Sequence, residues 1–181
     1  MSNIQYQKEV KNFISLIPVH HYSNSDNLHG ISHVKRTLLL AIKLLDKEKI
    51  KNKEERDLIA YACIYHDIGR ITEGKDIVHG YLSWRKIRKL NILDNIIMSD
   101  EHKKILQFII INHCIDDLDA EKEIDTYNIE DRERTLYLYR LFKDVDALDR
   151  IRLKDLDPEY LRLSSSLELI SIAEKLINIE L

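Results

Sequence analysis

The chain has 181 residues, 44% of them hydrophobic, with 28 basic and 31 acidic side chains and a formal charge of −3. That length and apolar content suit one domain with a real core, and the balanced charge gives no overall pull toward nucleic acid, which is not expected as a partner. Two cysteines, Cys63 and Cys114, are too few for a disulfide framework and read as small core residues in a reducing cytoplasm.

No run of about 18 apolar residues suggests a membrane span, and the N-terminus lacks the shape of a signal peptide. With 4 Gly and 2 Pro, turn chemistry is sparse. Helical periodicity recurs from end to end, predicting a single all-α domain across residues 1–181. The first helix is expected from Ile4 to Ile17, stopping before Pro18, with a turn-rich loop from His20 to Asp26. Helices follow from Ile31 to Leu45 and from Glu54 to His66, and Gly69 to Gly74 breaks the pattern. Gly80 to Leu90 and Glu101 to His113 read as helical, whereas Cys114 to Asp131 is acidic, weakly periodic and predicts a loop or short lid. Helices from Glu133 to Leu153 and from Ser165 to Ile179 complete the chain.

Several polar residues fall on the apolar stripes of these helices. His33 is in register with Thr37, Leu40 and Leu44, and His66 continues the stripe of Ile59, Ala62 and Cys63. His113 follows Ile105 and Ile109 at four-residue steps, as Asp146 follows Leu138 and Phe142. Four helices thus direct a metal-competent group toward a common interior. A carboxylate such as Asp146 on a core-facing stripe is costly unless it is paired or coordinated. Asp149 shares the face of Asp146 and is either the ligand in its place or an outer support for a ligand or an Arg. Asp144 faces elsewhere and is expected in solvent. Histidine and aspartate without thiolate suit Fe, Mn, Zn, Co or Ni.

The flanking residues carry a resemblance. His29-Gly30-Ile31-Ser32-His33-Val34-Lys35-Arg36, Ile64-Tyr65-His66-Asp67-Ile68-Gly69-Arg70 and Phe142-Lys143-Asp144-Val145-Asp146-Ala147-Leu148-Asp149-Arg150 resemble, in that order, the signature segments of the HD-domain metal-dependent phosphohydrolase superfamily. The resemblance implies a helical bundle with a metal site in an interior cleft, and His33, His66, Asp67 and Asp146 as ligands. His79 and His113 stand where binuclear members, including the HD-GYP phosphodiesterases, place further ligands, so one or two divalent ions are implied, with Asp67 bridging in the second case. The GYP motif is absent and Asn112-His113 replaces the paired histidines of that subgroup, so its cyclic-dinucleotide activity does not transfer.

The implied reaction is hydrolysis of a small-molecule phosphomonoester or phosphodiester, with a nucleotide as the substrate class. A divalent ion lowers the pKa of water and withdraws charge from phosphoryl oxygens, and Asp67 would also orient the attacking water. Arg36, Arg70, Lys75 and Arg150 lie close in sequence to the ligands as candidate phosphate contacts, and His29 is a candidate substrate contact. Two other classes are compatible with this ligand set: a di-iron oxygenase of the same fold, and a non-catalytic metal- and nucleotide-binding sensor.

Overall fold

Short polar side chains start the main helices. Asn52, Ser99 and Asp131 accept from the backbone N–H groups of Glu54, His102 and Arg134 at 2.9, 3.2 and 2.9 Å, satisfying donors that a helix N-terminus leaves unpaired. A computed structural model of the protein describes residues 3–23, 28–74 and 76–178. Among these residues the elements are α1 (Asn3–Ser15), α2 (Ile31–Lys47), α3 (Lys53–Tyr65), α4 (His79–Lys89), α5 (Asp100–Asn112), α6 (Asp117–Glu123), α7 (Arg132–Leu148), α8 (Ser164–Leu167) and α9 (Ile170–Ile177), with short 3-10 turns between them and no strand. The all-α expectation holds.

The core lies between α2, α3, α5 and α7, where Leu38, Leu44, Ile59, Phe108, Tyr139 and Phe142 are fully buried. Each such side chain contributes about 1.5–3 kcal/mol by leaving water. This packing brings particular helix ends together. α3 and α5 stop immediately before His66 and His113, α4 starts at His79, α2 carries His33 in its first turn, and α7 carries Asp146 in its last.

Two glycines permit the approach of α4. A Cβ on Gly80 would lie 2.4 Å from the carbonyl oxygen of Ile110 and 2.5 Å from that of Ile111, and one on Gly69 would lie 2.4 Å from the backbone nitrogen of Ser83. The missing side chains let α4 sit directly on α5 and on the turn after His66.

Four expectations need correction. The Cys114–Asp131 stretch is not a loop or lid: Asp116 caps α6 by accepting from Leu118 N at 2.9 Å, Ala120 and Ile124 are buried, and Asp117 pairs with Lys143 and Arg162 at 2.6 Å each. α7 gives way at Leu148 to a 3-10 turn over Asp149–Leu153. The final helix is broken into α8 and α9 beside the fully buried Leu169, and its expected end, Ile179, lies outside the described residues. Asp144 is fully buried rather than solvated. It accepts from the backbone N–H groups of Arg162 and Leu163 and from Ser166 Oγ, at 2.9, 2.8 and 2.8 Å, so it ties α7 to the start of α8.

Candidate metal centre

Every histidine that lines the cleft has one ring nitrogen anchored and the other turned inward. His66 Nδ1 donates to the carbonyl of Cys63 at 3.0 Å, His113 Nδ1 to that of Ile110 at 2.8 Å, and His79 Nδ1 to that of Asp76 at 2.5 Å. A carbonyl oxygen only accepts, so these three Nδ1 atoms carry hydrogen, and neutral rings then present a bare Nε2 lone pair. His33 Nδ1 is held instead by the buried carboxylate of Asp149 at 2.7 Å.

The inward nitrogens face one another. His33 Nε2 and His66 Nε2 are 3.1 Å apart, and His79 Nε2 and His113 Nε2 are 2.8 Å apart. Two lone pairs at that separation repel unless a proton or another cation lies between them. Asp67 stands between the two pairs: Oδ2 is 3.5 Å from His66 Nε2 and 3.9 Å from His33 Nε2, while Oδ1 is 3.2 Å from His79 Nε2 and 3.8 Å from His113 Nε2. Oδ1 is buried without a hydrogen-bond partner, an arrangement that calls for a cation. Asp146 Oδ1 joins the first pair, 3.3 Å from His33 Nε2 and 3.7 Å from His66 Nε2. Its side chain is 34% exposed, against 5% or less for the other five, so the cleft opens beside Asp146.

Donor atoms of His33, His66 and Asp146 all lie within 4.8 Å of one another, as do those of His66, Asp67 and His113. These residues fit divalent-metal binding: buried imidazoles, two carboxylates and an orphaned oxygen. The electrostatics agree. Burial alone would depress the pKa of His66, but Asp67 and Asp146 raise it to about 9; the cavity attracts positive charge. Burial and the neighbouring His113 lower His79 to about 4, leaving its Nε2 unprotonated. Burial opposes ionisation of Asp67, yet His66 and the other histidines around it, His29 among them, hold its carboxyl well below the usual range. Asp146 is depressed in the same sense, burial being outweighed by His33 and His66.

The other candidates are distributed unevenly. His29 Nδ1 meets Asp67 Oδ2 at 2.9 Å at the edge of the cleft. Arg70 Nη1 lies 3.8 Å from Asp67 Oδ1 and 3.1 Å from His79 Nε2, its fork held by the carbonyls of Thr72 and Gly74. Arg36 is engaged by Asp149 through two bonds of 2.6 and 3.0 Å, and Arg152 joins the same carboxylate at 3.0 Å. Arg150 points outward to Asp155, and Lys75 lies outside the described residues. Asn112, the departure from the paired-histidine pattern, turns away from the cleft and donates to Phe108 O and Tyr127 Oη at 2.9 and 3.0 Å.

One residue beside the cleft escapes sequence reasoning. Cys114, read as a core residue, is only half-buried after the end of α5, whereas Cys63 is fully buried. Donor atoms of Cys114, His79 and His113 lie within 4.8 Å of one another. The adjacency of Cys114 to His113 was the available signal. A cavity of about 870 Å³ lies elsewhere, toward the start of α3 between Phe13, Arg56 and Tyr61, and Arg56 there is occupied by Glu9 and Asp46.

Comparison with known proteins gives one family, the HD domain, matched over residues 30–151. No curated protein and no solved structure matched the chain. The matched region covers about two thirds of the sequence and contains all six cleft residues, from His33 to Asp146. The chain belongs to the HD-domain family of metal-dependent hydrolases.

Proposed function

We propose that the protein hydrolyses a phosphomonoester or phosphodiester, with a nucleotide as the substrate class. In this reading His33, His66, Asp67 and Asp146 hold one divalent ion, and Asp67, His79 and His113 hold a second. One observation carries it: two acceptor-to-acceptor histidine contacts flank a single carboxylate whose oxygens face different pairs. Divalent ions bound there would lower the pKa of water and draw charge from the phosphoryl oxygens.

The chain's own residues supply position and exclusion of water. The Nδ1 anchors fix the ring tautomers, and Phe142 packs edge-on against His66 and His113, with centroids 5.4 and 6.0 Å away. Asp67 sets the separation of the two positions and orients the attacking water. Arg70, beside Asp67, is the proposed phosphate contact, since a guanidinium matches phosphoryl oxygens in plane. His29 contacts the substrate from the rim. Arg36 supports the site through Asp149 and His33 instead of reaching the phosphate. The nucleotide class rests on the family resemblance. A cytoplasmic setting belongs to the same proposal, supported by two unbridged thiols; among the described residues no helix is long and apolar enough to cross a membrane.

The test is turnover of a nucleotide and phosphoester panel in ¹⁸O-labelled water by protein prepared without chelators. Label on the released phosphate or phosphomonoester supports the reading. Label confined to the alcohol places attack at carbon and overturns it. Dioxygen uptake without phosphate release assigns the oxygenase class, and nucleotide binding without turnover across the panel assigns the sensor.

A further inference from the structure

We propose that Cys114 is a ligand of the second metal position, making it a mixed nitrogen, oxygen and sulfur site. The inference rests on the two-ion reading above.

Three observations carry it. First, Cys114 Sγ and one ring nitrogen from each of His79 and His113 lie within 4.8 Å of one another. Second, the buried Asp67 Oδ1, without a hydrogen-bond partner, faces the same two histidines at 3.2 and 3.8 Å. Third, the two positions are unequal without the thiol. The first has four protein donors, from His33, His66, Asp67 and Asp146, whereas the second has three. Cys114 supplies a fourth, the number that tetrahedral ions such as zinc take.

The path of the chain explains how sulfur arrives there. Cys114 directly follows His113, and its Sγ–H donates to the carbonyl of Ile77 at 3.2 Å. Ile77 lies two residues before His79. The thiol therefore bridges the two segments that carry the histidines. A thiol-to-carbonyl bond is weak, so a bond to the ion would replace it. As that bond forms, sulfur donates an electron pair to the ion and the S–H proton leaves to solvent; nothing is oxidised or reduced. Cys63, the other cysteine, is fully buried within α3.

The consequence is a difference in metal preference. Thiolate favours zinc and similar ions over manganese or magnesium, while imidazole and carboxylate accept a broader range. The second position selects zinc or cobalt, and the first does not share that bias.

The experiment loads metal-stripped wild type and Cys114→Ser with two equivalents of zinc or cobalt(II). Expected in wild type are two bound ions, a sulfur scatterer at about 2.3 Å from zinc in X-ray absorption, and a sulfur-to-cobalt charge-transfer band. Cys114→Ser keeps a hydroxyl donor for Ile77 but loses both signals. Its second zinc binds more weakly by at least the 10–100-fold, roughly, that loss of an outer partner costs. Two ions in wild type with only nitrogen and oxygen neighbours overturn the Cys114 assignment and leave the two-ion reading standing. One ion or none overturns both. A sulfur signal that persists in Cys114→Ser comes from Cys63 and also overturns the assignment. Should the serine variant fail to fold, the wild-type spectra alone decide.

Discussion

His79 and His113 meet Nε2 to Nε2 at 2.8 Å, each with its Nδ1 hydrogen committed to a backbone carbonyl. No hydrogen bond joins two rings that both lack a proton on Nε2, so the contact calls for a proton or another cation between them. Protein prepared anaerobically without chelators should contain close to two ions per chain by elemental analysis. His79→Ala and His113→Ala should each contain about one, with unchanged helical circular dichroism. Two ions retained in both variants would remove these imidazoles from the metal shell.

Asp149 reaches the first position through His33. Its carboxylate is 2% exposed and receives His33, Arg36 and Arg152. Burial would raise its pKa, but these partners hold it low, so it stays an anion. Asp149→Asn keeps an acceptor for His33 but withdraws the charge and leaves two guanidinium groups underpaired. The affinity of the first ion should fall about 10–100-fold, as read by competition with a chromogenic chelator. The second ion should be nearly unaffected, because neither His79 nor His113 touches Asp149.

Much of this arrangement was legible in the sequence. Helical spacing gave the inward phase of His33, His66, His113 and Asp146, and the flanks of His33, His66-Asp67 and Asp146 gave their order in the family. What escaped has local physical causes. Asp144 was misplaced because its value lies in the distant backbone amides of Arg162 and Leu163, which no helical period encodes. The acidic stretch after Cys114 hid α6, which is held by an Asp116 cap and by Lys143 and Arg162 and buries only Ala120 and the adjoining Ile124, too short a stripe to read as a period. Arg36 lies three residues after His33 in sequence, yet Asp149, 113 residues away, captures it.

The Asp117 network should govern acid stability. Burial favours the neutral acid, but Arg162 and Lys143 depress the carboxyl of Asp117 below its ordinary value. A depressed folded pKa contributes stability that is present above the unfolded value, about 3.9, and lost as pH falls through the folded value. Asp117→Asn should therefore be less stable than wild type near pH 7, with the difference closing toward about pH 3. Urea unfolding of both proteins in chelator checks this without interference from metal release. A difference independent of pH would assign the effect to packing.

Gly80 decides whether α4 can bring His79 to the cleft. A Cβ there would lie 2.4 and 2.5 Å from the carbonyl oxygens of Ile110 and Ile111, and these are backbone atoms of α5 that no side-chain rotation can move aside. Gly80→Ala must push α4 outward, and His79, the adjacent residue, moves with it. Such overpacking costs about 1–3 kcal/mol, and the lost stability should appear together with loss of the second ion and retention of the first. Gly74→Ala is the matched control, because a Cβ at Gly74 meets nothing within 4 Å. Thermal unfolding and metal analysis on both variants separate the effects: Gly74→Ala should keep two ions and near-wild-type stability. If Gly80→Ala also keeps both ions, the close approach of α4 to α5 is not what places His79.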